Sequence, residues 1–169
     1  IFHCFGCHEG GNAITFAMKY EQLDFRDALE HLANRLGLEL PEGSEQEASL
    51  KTYHQLLEDA SAFYCKARET EPDAVAYLTK RGIKDETLDH WQIGYAPAKT
   101  QTLTQSLMKK GYTRDEIQKA GLLNKQQKPL LRHRVVFPIK DHRNRVIAFG
   151  GRALTNDQQP KYLNFSETP

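Results

Sequence analysis

The sequence predicts an α+β fold, with helices over most of the chain and a small, mainly antiparallel sheet towards its end. Three observations predict it. Apolar residues recur at helical spacing between Asn12 and Gly121; two β-branched and aromatic runs, 134–139 and 145–149, then flank a polar turn; and a Cys-Phe-Gly-Cys turn precedes them all. At 169 residues, 39% hydrophobic and 27% charged, the chain can bury a core and reads as one domain or two small ones.

Residues 1–7 read as a strand running into the Cys4-Phe5-Gly6-Cys7 turn. Gly10 and Gly11 break the chain before Asn12, which can cap a short helix ending near Tyr20. Asp24 can cap a second helix whose Phe25, Ala28, Leu29, Leu32, Ala33 and Leu36 share one face, and Gly37 can end it. The stretch 41–49 is polar and lacks periodicity, which marks a linker or the frayed start of the next helix. The expected division is therefore 1–40, a linker at 41–49, and a second domain at 50–169.

From Leu50 the stripe Tyr53, Leu56, Leu57, Ala60, Phe63, Tyr64 and Ala67 describes a long amphipathic helix, and Pro72 suits the first turn of another that ends at Arg81-Gly82. Asp85 is expected to cap the next, through Trp91. Thr113-x-x-Glu116 matches a capping box between Gly111 and Gly121. Beyond Gly121 the pattern turns to strands: 134–139 and 145–149 form a hairpin across 141–144, and Tyr162-Leu163 reads as a third strand. Pro138 implies that its strand lies at an edge or is interrupted there. No internal repeat or low-complexity tract is present.

No apolar run approaches the ~18 to 20 residues of a membrane-spanning helix. The chain starts at Ile1 and stops at Pro169 just after a charged, strand-like stretch, so both ends are expected to be cuts. Three cysteines, two in one C-x-x-C, are too few for a disulfide framework and point to a reducing compartment, with a cytoplasmic setting by default. The net charge of +1 hides a split. Residues 1–40 carry three Lys or Arg against six Asp or Glu, whereas 125–169 carry nine against three, which makes the C-terminal part a candidate for binding a polyanion.

Cys4 and Cys7 have the spacing of a zinc knuckle, in which a tight turn aims two thiolates at one metal; two ordinary thiols in a turn is the alternative. His3, beside Cys4 on a strand, should point to the opposite face. In the C-terminal part, Arg132, Arg134, Arg143, Arg145 and Arg152 stand among Phe137, Phe149 and Tyr162. Arginine forks suit phosphates and exposed aromatics stack on bases, although any half-solvated strand alternates in this way. Gly150-Gly151-Arg152 reads as a close backbone approach to a phosphate or as a β-bulge. Lys161 reads as a phosphate contact or a solvated turn residue, and Arg81 as a cation at a helix C-terminus. Trp91 and Cys65 read as core.

Three separated segments resemble one family, the bacterial DnaG-type primases. Phe2-His3-Cys4-Phe5-Gly6-Cys7 with Gly11-Asn12-Ala13-Ile14 resembles the second half of their zinc ribbon. Tyr77-Leu78-x-x-Arg81-Gly82 with Ile93-Gly94-Tyr95-Ala96-Pro97 resembles the start of their polymerase core. The third match runs through 134–139, 146–152 and 160–164. The resemblance makes the opening segment a partial zinc ribbon with two helices, and 50–169 the N-terminal subdomain of an RNA polymerase core.

The resemblance implies DNA-templated synthesis of RNA primers for replication. Cys4 and Cys7 would be the last two zinc ligands, and Arg81, Arg152 and Lys161 would line the groove for single-stranded DNA template or RNA–DNA hybrid. The Mg or Mn ions that act on ribonucleoside triphosphates would sit in a Toprim domain beyond Pro169, since Asp141, Asp157 and Glu167 are isolated here and no residue of this segment is expected to be catalytic. Replicative helicase and single-strand-binding protein would be partners through other regions; no membrane is implied. His8-Glu9 departs from the small residue that the family carries after its second knuckle cysteine. With half a ribbon, the segment alone is expected to hold zinc weakly or not at all and to make no RNA; zinc retained stoichiometrically through chelator dialysis would be the contrary outcome. The alternative function is a non-catalytic, zinc-containing DNA-binding module. A phage primase-helicase, continuing into a P-loop, is a third.

Overall fold

A computed structural model describes residues 1–38, 40, 45–99, 102–155 and 157–164. It divides into two compact units, Ile1–Ser44 and Glu45–Pro169. Of the polar stretch read as a linker or helix start, 41–44 lies outside the described residues, and the chain is helical from Glu45 onward.

The first unit holds a two-stranded antiparallel ladder, β1 (Phe2–His3) and β2 (Gly10–Gly11), followed by α1 (Ala13–Tyr20) and α2 (Phe25–Leu36). The caps are those the residue types predict. The Asn12 side chain accepts from Thr15 N at 2.9 Å, and Asp24 from Asp27 N at 2.7 Å. Gly37 takes φ 65° and lets α2 end in a left-handed turn. Among its described residues the buried apolar ones are Ala17, Ala28 and Ala33, while Phe5, Tyr20, Phe25 and Leu36 are exposed. This unit therefore has little core of its own.

The second unit is built around α3 (Glu45–Glu69). After it come α4 (Pro72–Lys80), α5 (Asp85–His90), β3 (Gly94–Ala96), α6 (Thr102–Lys109) and α7 (Arg114–Lys119), then β4 (Arg134–Lys140), β5 (Val146–Ala153) and β6 (Tyr162–Asn164). The sheet order is β3-β4-β5-β6, antiparallel throughout. One face of α3 supplies Leu56, Leu57, Ala60 and Tyr64 to a core shared with Leu107, Ile117, Leu131, Val136, Val146 and Phe149. Tyr64 meets Phe149 edge-on at 5.4 Å between ring centres. A smaller cluster, Leu78, Leu88, Ile93 and Val135, joins α4 and α5 to the sheet.

Polar contacts tie the sheet to α3 at both ends of the helix's buried face. Glu58 accepts the N–H of Val146 at 2.8 Å, satisfying the first donor of β5. Arg68, 8% exposed, donates to the Ile93 carbonyl at 2.8 Å and to Asp89 at 2.6 Å, which holds the turn after α5 against the helix. The predicted hairpin is present: Asp141 accepts from the backbone N–H groups of Arg143 and Arg145 and from the Arg145 guanidinium. Burial alone would raise the Asp141 carboxyl, but those donors outweigh it and hold it below the ordinary carboxylate range.

Several local expectations are revised. Helix α6 and strand β3 are additional elements, while β1 ends at His3 before the Cys4–Cys7 turn, as read. Lys84, not Asp85, holds the cap position of α5, with Asp85 in its first turn. Strand β4 is interior over 134–136, where β3 pairs with it, but Pro138 pairs only with Phe149 on the β5 side, so the proline sits where the strand is locally an edge. Among the described residues no helix is long and apolar enough to cross a membrane.

Candidate nucleic-acid interface and zinc knuckle

The knuckle is closed by backbone hydrogen bonds. Cys4 N donates to Glu9 O at 2.7 Å and His8 N to Cys4 O at 2.9 Å. Both thiols are exposed. Backbone N–H groups of Cys7 and Gly6, and then the Cys7 thiol, hold the Cys4 thiol below its ordinary value, an environment that favours the thiolate a metal needs. This donor chemistry fits zinc. Among the described residues no three His, Cys, Asp or Glu side chains gather to hold a metal, so Cys4 and Cys7 offer two corners of a tetrahedral site. His3 packs against Phe5, 5.1 Å between ring centres, and stands 6.2 Å from the His8 ring.

The structure gives a reason for a small residue after the second cysteine. Position 8 takes φ 60°, the left-handed region, where a side chain other than glycine costs about 1 kcal/mol. Here that residue is His8, and the adjacent Glu9 pairs with Lys19 of α1.

In the second unit, Arg81 and Arg152 come together through two aromatic rings. Arg81 caps the C-terminus of α4, one helical turn after Tyr77, so the two share a face. Its guanidinium carbon lies 5.0 Å from the centre of the Tyr77 ring. On β5, Arg152 stands directly opposite Tyr162 of β6. Its guanidinium carbon is 5.5 Å from the Tyr77 ring centre and 5.0 Å from that of Tyr162, and its Nη1 donates to the Tyr162 hydroxyl. Arg81, Tyr77, Arg152 and Tyr162 thus form a row in which cations and rings alternate. Lys161, exposed, precedes Tyr162, and its carbonyl accepts from Ala153 N at 2.9 Å.

Not every cation of this unit meets an anion. Arg68, Lys110, Lys119 and Arg145 each face a carboxylate, at 2.6 to 2.8 Å. Arg81, Arg152 and Lys161 face none among the described residues. Beside Lys161 opens a cleft of about 530 Å³ bordered by Arg132, His133, Arg134, Asp157, Gln158 and Pro160. Arg134 is 3% exposed, and burial lowers its pKa; one of its N–H groups points at the Lys161 carbonyl, 3.4 Å away. A surface of unpaired cations and exposed aromatic edges can take phosphates and bases.

Gly150 and Gly151 serve packing within the chain. A Cβ on Gly151 would stand 2.5 Å from the Leu131 side chain and one on Gly150 3.1 Å from Asn164 Oδ1, while the register shift lies at Ile139 and Lys140. Trp91, read as core, is 59% exposed, because Leu88 and Ile93 take the buried positions around the short helix α5. Cys65 is half-buried, donates to Gln92 O at 3.3 Å, and has its thiol pKa raised by burial. Tyr77 stands in the sequence only as the first residue of the motif Tyr77-Leu78-x-x-Arg81-Gly82, with no role of its own, although its four-residue spacing to Arg81 is visible there. Asp141 is engaged by Arg145, Asp157 is exposed, and Glu167 lies outside the described residues.

Residues 63–169 match the family model described as "DNA primase catalytic core, N-terminal domain", and residues 1–48 match "CHC2 zinc finger". The DNA primase of Haemophilus influenzae is 38% identical over 99% of this chain and 30% of its own length. The Aquifex aeolicus primase, solved as zinc-binding and RNA polymerase domains, aligns with 98% of this chain and 41% of that one, at 32% identity and a TM-score of 0.66. A DnaG primase catalytic domain bound to ssDNA aligns with 72% of this chain and 39% of that one, at 37% identity and a TM-score of 0.63. This chain spans about a third of the length of the curated relatives it matches.

Proposed function

The chain belongs to the DnaG-type DNA primases, and on that premise we propose that it supplies the template grip for DNA-templated synthesis of RNA primers. Arg81, Arg152 and Lys161 take phosphates of single-stranded DNA or of an RNA–DNA hybrid, and Tyr162 offers a ring edge to a base. The observation that carries this reading is the row of Arg81 and Arg152 with the rings of Tyr77 and Tyr162, in which no carboxylate among the described residues neutralises the cations. The relative bound to ssDNA supports it. Cys4 and Cys7 furnish two of four ligands to a zinc that shapes the ribbon.

Nucleotidyl transfer requires clustered carboxylates that hold Mg or Mn against a ribonucleoside triphosphate. In this reading the Toprim part of the longer protein supplies them, and the present residues position the template. The setting is the bacterial cytoplasm, with the replicative helicase and single-strand-binding protein as partners of the whole protein.

The test is binding of a fluorescent single-stranded DNA across a salt series. Three phosphate contacts give a slope of about −2 in log K against log salt, so affinity falls about 20-fold between 50 and 200 mM. Binding that ignores salt, or none at 50 mM, would overturn the reading.

A further inference from the structure

We propose that Tyr77 is the positioning residue of this interface: its ring holds Arg81 and Arg152 in place before nucleic acid arrives. The inference rests on the nucleic-acid reading of the row and adds a role to a residue which that reading leaves among the core.

Arg81 and Arg152 come from different layers, one from the end of a helix and one from a strand, yet both guanidinium carbons lie within 5.5 Å of one ring centre. Two guanidinium cations brought to one ring repel each other. With no carboxylate beside either cation among the described residues, the electron-rich faces of Tyr77 and Tyr162 are what offset that repulsion. Tyr162 cannot do this for both, since it meets Arg152 alone. Tyr77 itself is fixed by packing against the cluster of Leu78, Leu88, Ile93 and Val135, so its orientation does not depend on the arginines.

The state of its hydroxyl separates a ring role from a hydrogen-bonding role. The Tyr77 hydroxyl oxygen is buried and has no partner, and the Arg152 Nε is likewise buried without one. A tyrosine retained for its oxygen would use it. Here only the ring has work, and phenylalanine would supply the same ring. Leucine would fill much of the same volume with no π face.

The test compares affinities for a fluorescent single-stranded DNA at low salt. The proteins are the unaltered chain, Tyr77→Phe, Tyr77→Leu, the pair Arg81→Ala with Arg152→Ala, and that pair combined with Tyr77→Leu. The expected result is that Tyr77→Phe stays within about twofold of the unaltered chain and Tyr77→Leu binds about 10-fold more weakly. In the background lacking both arginines, Tyr77→Leu should change affinity less than about twofold, because nothing is left for it to position. Should Tyr77→Leu match Tyr77→Phe, or lose the same factor with the arginines absent, the ring holds no cations for binding and the proposal falls. If the unaltered chain does not bind, the nucleic-acid reading fails first and takes this one with it. The free protein offers a check that needs no variant: the Arg81 and Arg152 side-chain proton resonances should be shifted upfield by the Tyr77 ring, and unshifted resonances at both would equally overturn the proposal.

Discussion

Replacing Arg81, Arg152 and Lys161 together by alanine is expected to lower the affinity for single-stranded DNA about 100-fold at low salt and to flatten the salt slope by about 2. Each exposed contact between a cation and a phosphate is worth about 1 kcal/mol here, so three remove about 3 kcal/mol, which is roughly two orders of magnitude. Each also releases its condensed counterion, at about 0.7 of a unit of slope per contact on a single strand. None of the three is paired with a carboxylate among the described residues, so the fold should survive their loss and the thermal midpoint should move little. A variant that melts like the unaltered chain and binds like it would show that the template lies elsewhere.

The second large effect concerns stability. Gly94→Ala is expected to destabilise the second unit by about 3 kcal/mol and to lower its thermal midpoint by roughly 10 °C. A Cβ at Gly94 would stand 2.5 Å from the Tyr64 Cβ and 2.6 Å from the Tyr64 carbonyl carbon. Tyr64 is 2% exposed and lies inside α3, so neither the helix backbone nor the ring can step aside. The clash would push β3 off the helix and with it the strand β4 that pairs with 94–96. Circular dichroism melting reads this directly. A midpoint within a degree of the unaltered chain would mean that β3 is not seated on α3.

Gly94 also marks where sequence reasoning stopped. Helices with strong local signals were legible: Asn12 and Asp24 cap as read, the Thr113 and Glu116 box is present, and the hairpin turns at Asp141. Each of these is decided by residues within a few positions of one another. Strand β3 is Gly-Tyr-Ala, in which only Tyr95 favours a strand, too short a run to stand out, and α3 and β4 both meet it. Helix α6 buries Leu103, Thr104 and Leu107 over barely two turns, too short a stripe to stand out in a polar context.

The interface divides in the same way. Arg81, Arg152 and Lys161 could be named from the family resemblance, but nothing local links residues 81 and 152. Their meeting over one ring is a tertiary fact. Trp91 shows why aromatic residues mislead: it ends a short helix with apolar neighbours, yet it is exposed. Burial depends on which positions the neighbouring elements have already filled, and a single strip of sequence does not carry that information.

The most direct test of the central claim, that this chain grips single-stranded nucleic acid along the row from Arg81 to Tyr162, is to photocross-link a single-stranded DNA carrying 5-iodouracil and to identify the joined peptide by mass spectrometry. The account predicts that the cross-links fall on the peptide bearing Tyr162. Cross-links confined to the first unit, or to α6 and α7, would contradict it.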